Sequence, residues 1–181
     1  AALRNRYSEM GRARFILDGM LQELEAYLDD ELSIPGEKGG DPRGYRCLDH
    51  GDFLKVLPND ENSHMCPVDG HVYSPTNTDP ELYAFIQGAY NSGRHKRLAQ
   101  QAFYMGVAYQ LSGDMRYADR VADILTQYAD VYMGYPVNDR YGDEDGKGSA
   151  RVLTQSLDES RWLVALSRGL DLIRGFYKNP H

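Results

Sequence analysis

The chain has 181 residues, 41% hydrophobic and 26% charged, which is ordinary globular usage and enough length for a real core. Acids outnumber bases 27 to 20, which argues against general nucleic-acid binding because that needs a basic face. No stretch approaches the roughly 20 apolar residues of a membrane span, so no membrane partner is expected.

The first predicted element is a long helix over about residues 3–32. Met10, Ala13, Leu17, Met20, Leu21, Leu24, Tyr27 and Leu28 fall on one stripe at helical spacing. The Pro- and Gly-rich run from Ser33 to Pro42 ends it. The chain opens Ala1-Ala2-Leu3-Arg4 and closes on Tyr177 to His181 directly after a helical pattern. Both ends read as cuts from a longer chain, with 1–181 forming a single helical domain.

Residues 43–75 have no helical period. Tyr45 to Cys47, Phe53 to Leu57 and His71 to Tyr73 read as short strands joined by turns, a small zinc-ribbon-like β-hairpin insertion. It carries two knuckles of one design, Cys47-Leu48-Asp49-His50-Gly51 and Cys66-Pro67-Val68-Asp69-Gly70. Each offers a metal ligand, two spacers, a second ligand and then a glycine that lets the backbone fold back. Facing each other, they place Cys47, His50, Cys66 and Asp69 around one ion, a donor set that suits a structural zinc. A Cys47–Cys66 disulfide, inert packing of small residues, or a degenerate site are the alternatives that spacing leaves open. His64 and His71 flank the second knuckle; either can replace Asp69 as ligand, although both read first as partly exposed loop histidines. No organic cofactor is expected.

Helices then resume. Thr78-Asp79-Pro80-Glu81 has the pattern of a capping box, followed by an apolar face of Leu82, Phe85, Ile86, Ala89 and Tyr90. Asn91-Ser92-Gly93 reads as a break. A second helix over about 94–111 begins with the basic run Arg94-His95-Lys96-Arg97, read as a solvated helix start. Ser112-Gly113-Asp114 ends it and caps a third, over 114–132. Residues 133–154 form a long Gly- and Asp-rich loop, of the length that is usually functional or mobile. Its Asp143-Glu144-Asp145-Gly146 lacks the spacing of a calcium-binding loop and reads as a solvated acidic turn.

A second capping box, Ser156-Leu157-Asp158-Glu159, opens the last helix, which shows Trp162, Leu163, Leu166, Leu170 and Ile173. Arg151, Gln155, Glu159 and Arg161 gather around its start. They make a plausible carboxylate site, with routine capping as the plainer reading. Phosphate-loop, nucleophile-elbow and zinc-protease motifs are lacking in the sequence, so spacing alone assigns no reaction. The fold class is mostly α, built of antiparallel helical hairpins.

The order Cys47-x-x-His50-Gly51, then His64-x-Cys66-Pro67-x-Asp69-Gly70-His71-Val72-Tyr73, then Gly113-Asp114-Met115-Arg116-Tyr117-Ala118, then Gln155 to Trp162, resembles the N-terminal helical part of heparinase II/III-like polysaccharide lyases. The resemblance runs from about 40 to 175, and the knuckle pair is its most specific part. It implies part of an incomplete (α/α) toroid with a concave cleft, and cleavage of uronic-acid-containing polysaccharide by β-elimination. It also implies an anionic polysaccharide ligand, a periplasmic or secreted location, and a remainder of the parent chain made of the C-terminal toroid half and a β-sandwich. The family's catalytic residues lie beyond the helix equivalent to 156–176, so no catalytic residue is carried over. Gln155 matches a cleft-lining glutamine of the family, and Arg151 and Tyr141 are further substrate contacts from the adjoining loop.

Two rivals stand beside it. Ala102, Gly106, Ala108, Tyr109, Gly113 and Asp114 echo a tetratricopeptide-like interaction module, but no 34-residue period recurs. A glycoside hydrolase on the same toroid needs a carboxylate pair, for which Asp143, Glu144 and Asp158 are available.

Overall fold

The computed structural model describes residues 11–139, 143–144, 146 and 148–178, the side chains of 12, 13 and 176–178 excepted. These residues are mostly helical, with one small antiparallel sheet. In chain order they form helix α1 (Gly11–Glu25), strands β1 (Lys55–Leu57), β2 (Asp60–Met65) and β3 (Val72–Tyr73), and helices α2 (Pro80–Ser112), α3 (Met115–Val131) and α4 (Ser156–Lys178). Among the described residues, none of the helices is long and apolar enough to cross a membrane.

The chain divides into two compact units. One comprises 1–34, 96–133 and 160–181, and the other 35–95 and 134–159. The first is helical. In α1, Leu24 is buried and Leu17, Met20 and Leu21 half-buried, as the stripe predicts. The helix stops at Glu25 rather than near 32. Tyr27 and Leu28 donate to the carbonyls of Leu24 and Glu25 in a tightened last turn. Asp29, Asp30 and Glu31 would set three negative charges against the negative end of the helix dipole. Residues 3–10 of the expected helix lie outside the described residues.

Helix α3 begins where expected. The Asp114 carboxylate accepts the N–H of Arg116, and Tyr117, Ala118, Val121, Ile124 and Tyr128 form its buried face. In α4 the buried positions are Trp162, Leu166, Gly169 and Ile173, whereas Leu163 and Leu170 are about half exposed, contrary to the expected face. Trp162 packs edge-on to Tyr128 and stacks on Tyr132. Gly169 lies against α2 so closely that a Cβ there would sit 2.8 Å from the Ala102 carbonyl oxygen.

The second unit holds the sheet, ordered β1-β2-β3. Strand β2 is not foreseen by sequence, because Asp60-Glu61-Asn62-Ser63-His64-Met65 lacks any apolar alternation. It is a strand because it pairs on both sides, with Val56 opposite His64 on one edge and Tyr73 opposite His64 on the other. The strand expected at 45–47 is reduced to a single bridge, Arg46 to Phe53. A core of Cys47, Leu54, Cys66, Tyr73 and Ile86 sits behind the sheet, with Tyr45 and Leu82 against it.

Helix α2 is unbroken through Asn91-Ser92-Gly93. Polar side chains such as these compete with the helical backbone only when they have no better partner. Here Ser92 Oγ donates to the Gly40 carbonyl at 2.9 Å and Asn91 Oδ1 accepts from Gln87. Gly93 alone costs only about 1 kcal/mol. The start of α2 is also capped differently. Asp79, not Thr78, accepts the N–H groups of Glu81 and Leu82.

Candidate functional site

The two knuckles fold alike. In the first, Gly51 N–H donates to the Cys47 carbonyl and Cys47 N–H to that of Asp52. In the second, Gly70 N–H donates to the Cys66 carbonyl and Cys66 N–H to that of His71. Both glycines have positive φ, 70° and 77°, which a side chain would strain. The equal spacing in sequence thus becomes equal geometry, and each turn delivers its cysteine sulfur inward.

The sulfurs of Cys47 and Cys66 each lie 3.5 Å from His50 Nδ1. The ligand atoms of these three residues are all within 4.8 Å of one another. Zinc bonds of about 2.3 Å to sulfur and about 2.0–2.1 Å to nitrogen, held at the tetrahedral angle, put S and N about 3.5 Å apart. The observed spacing matches that requirement. Both cysteines are buried and free, so the disulfide left open by spacing is not formed.

Asp69 stands at the rim. Its Oδ2 is 4.0 Å from His50 Nδ1, while its Oδ1 accepts the His71 N–H at 2.9 Å. That N–H bond is the main reason its carboxyl lies below the usual range. The two flanking histidines are elsewhere. His71 is exposed and edge-on to Tyr73. His64 is fully buried in β2, which corrects its reading as an exposed loop residue.

The electrostatics favour a thiolate at Cys47. The Tyr73 hydroxyl, 3.4 Å from Cys47 Sγ, outweighs burial and, with His50, brings the Cys47 thiol down to about 6. His50 is raised in return, chiefly by Cys47. Cys66 is raised by burial. Metal binding releases the thiol protons, so a lowered thiol at this position helps a cation to bind.

His64 anchors a second polar system in the same unit. Its Nδ1 lies 3.1 Å from the Tyr45 hydroxyl and its Nε2 2.6 Å from Gln87 Oε1. Tyr45 therefore donates to Nδ1, and Nε2–H donates to the amide oxygen. Burial lowers the His64 pKa, keeping the ring neutral in that tautomer. Nothing in the local sequence marks Tyr45 or Gln87 as its partners, nor Tyr83, whose hydroxyl lies within hydrogen-bond distance of Gln87 Oε1 and of the Asn62 carbonyl.

The start of α4 is tightly tied. One Glu159 carboxylate oxygen accepts the N–H groups of Val152 (2.6 Å) and Leu153 (3.2 Å), rather than closing a box onto Ser156. Gln155 Nε2 donates to Asp158 and Arg151 Nη1 to the Tyr135 carbonyl. Both expected substrate contacts, Gln155 and Arg151, are half-buried. Tyr141 lies outside the described residues. Lys38, unmarked by sequence, contacts three acceptors: the Asn138 carbonyl, Asn138 Oδ1 and the Ala150 carbonyl. That is the full complement of an ammonium group, so Lys38 pins the loop instead of reading a ligand.

No protein-family model matches the chain. Part of it is 38% identical over 81 residues to an alginate lyase of Stenotrophomonas maltophilia, which is 45% of this chain and 10% of that protein. Another match is 33% identical over 86 residues to an exo-oligoalginate lyase of Saccharophagus degradans, 48% of this chain and 11% of that protein. The matched stretch is thus about a tenth of the length of these relatives. The similarity supports a relationship to polysaccharide lyases and does not single out the heparinase II/III-like group.

Proposed function

We propose that this chain is the N-terminal helical part of a heparinase II/III-like polysaccharide lyase that cleaves a uronic-acid polysaccharide by β-elimination. The observation that carries the reading is the similarity of nearly half of the chain to two proteins named as alginate lyases. In such an elimination the sugar carboxylate is neutralised, a base removes the C5 proton, and an acid protonates the leaving oxygen. In this reading those catalytic groups belong to the remainder of the parent chain, with the C-terminal toroid half and the β-sandwich. The helices described here form part of the incomplete (α/α) toroid, and Gln155, Arg151 and Tyr141 contact the anionic polysaccharide. Phe15 and Ile16 on α1 and Leu163 and Leu170 on α4 are exposed apolar residues of the kind that further helical hairpins would cover. The protein is periplasmic or secreted.

Cys47, His50 and Cys66 hold a structural zinc, with Asp69 as fourth ligand. The sulfur-to-nitrogen distances of 3.5 Å support this. The ion would clip two loops together and take no part in the elimination.

Alginate and other uronic-acid polymers, incubated with the full-length parent protein, test the lyase reading through the ultraviolet absorbance of the unsaturated product. Product is expected from the parent, and none from residues 1–181 alone. A parent protein that leaves every uronate polymer intact ends the proposal.

A further inference from the structure

A cavity of about 330 Å³ opens in the second unit, away from the knuckles. That is the lower end of small-molecule sites, which run from roughly 300 to 1,000 Å³, and it fits one sugar ring better than a stretch of polymer. Asn91 on α2 forms part of its wall and is only 3% exposed. The Asn91 Oδ1 accepts from Gln87 Nε2 at 3.4 Å. Its Nδ2 donors have no partner among the described residues, yet the only wholly enclosed side-chain polar atom without a partner there is Trp162 Nε1. The Asn91 amide nitrogen therefore faces the cavity.

Its orientation is set from a distance. Tyr45 O–H donates to His64 Nδ1, His64 Nε2–H to Gln87 Oε1, and Gln87 Nε2–H to Asn91 Oδ1. Each bond in the chain dictates the next, so the Asn91 carboxamide cannot flip without breaking it. The result is a fixed N–H donor on the wall of a small hollow. Tyr83 and Pro75 supply apolar surface beside it, and Glu37 supplies an acceptor. Arg94 is paired with Glu61 at 2.8 Å, so Glu37, Glu61 and Arg94 together leave no surplus positive charge for a carboxylate.

We propose that this cavity is a sugar subsite that takes the hydroxyl face of a single pyranose unit, with Asn91 as the hydroxyl-reading donor. The proposal rests on the polysaccharide reading above, but adds that this subsite recognises hydroxyls and not the uronate charge.

Calorimetric titration of the intact chain with a saturated oligouronate trisaccharide, and with its carboxyl-reduced neutral counterpart, tests it. Both are expected to bind, with dissociation constants within about threefold of each other, since neither gains an ionic partner. Asn91→Asp keeps the acceptor for Gln87 and replaces the donor, and is expected to weaken both by about tenfold or more. Gly36 lines the mouth with open space around it, so Gly36→Trp fills the hollow without touching the hydrogen-bonded chain and is expected to abolish binding even if Asn91→Asp does not fold. Unchanged affinity in Gly36→Trp, binding of the acidic probe alone, or no binding by the unaltered chain each overturns the proposal. None of these bears on the lyase reading, which is judged by unsaturated product from the parent protein.

Discussion

The hydroxyl of Tyr73 lies 3.4 Å from the Sγ of Cys47, so the strand leaving the second knuckle closes over the thiol of the first. Burial, and after it the bond to Cys47, push the Tyr73 pKa up to about 12, so the hydroxyl keeps its proton. The two knuckles are thus coupled through a side chain that belongs to neither ligand set.

Zinc analysis of the purified chain is expected to give one ion per molecule. Cys47→Ala is expected to lose it and at least about 2 kcal/mol, or roughly 4–8 °C in Tm for a chain of this size. Asp69→Asn tests the fourth ligand and is expected to cost about tenfold or more in zinc affinity. A chain that holds no zinc, and whose melting a chelator leaves unchanged, contradicts the metal centre. Retained affinity in Asp69→Asn would pass the fourth position to another group.

His95 carries a pH dependence. It is fully buried in the second unit, its Nε2 donates to the Glu37 carbonyl at 3.1 Å, and burial lowers its pKa from 6.5 to about 4. A depressed histidine favours the folded state while neutral, so its contribution is present above pH 6.5 and is lost as pH falls towards 4. The unfolded chain takes up the proton first, and the loss totals about 3 kcal/mol. Urea midpoints between pH 7 and 4 should fall accordingly, and His95→Gln should flatten that fall. Parallel pH curves for the two proteins would remove His95 as the cause.

Gly169→Ala places a methyl 2.8 Å from the Ala102 carbonyl oxygen and 2.9 Å from its carbon. Backbone cannot swing aside as a side-chain tip does, so a loss of about 1–3 kcal/mol is expected despite the better helix propensity of alanine. Gly106→Ala meets Leu172 Cβ at 3.0 Å and the Gly169 carbonyl oxygen at 3.2 Å; neither can swing aside, but both approaches are looser than the 2.8 Å one at Gly169, so it should cost less. Thermal melts of the pair check the order; equal stability would mean that α2 and α4 separate freely.

Glu159→Ala removes the acceptor shared by the N–H groups of Val152 and Leu153, both fully buried residues. Charge-assisted bonds of this kind are worth about 1.5–3 kcal/mol. A comparable drop in unfolding free energy is expected, with faster amide exchange at 152 and 153 than in the parent. If exchange there is unaltered, the carboxylate does not hold that turn.

Local chemistry reached as far as the elements with their own signals. The Asp114 cap and the two knuckles were legible, because each rests on residues a few positions apart whose geometry the backbone dictates. Strand β2 was not legible. Its six residues have no alternation of their own and become a strand only through partners on both sides. The continuity of α2 through Asn91-Ser92-Gly93 was hidden for a related reason, since Gly40 and Gln87 occupy the polar groups that would otherwise break it.

The sequence by itself determined that this is a mostly helical chain with one small hairpin module carrying two knuckles of matching design. Tertiary structure alone decided that Cys47, Cys66 and His50 converge at metal-ligand distances, that His64 is a buried relay and not a ligand, and that Asn91 turns its amide towards a hollow. The physical reason is the range of the interactions. Turns and caps are made by neighbours in sequence, whereas a metal cradle or a hydrogen-bonded relay needs groups that only folding brings together.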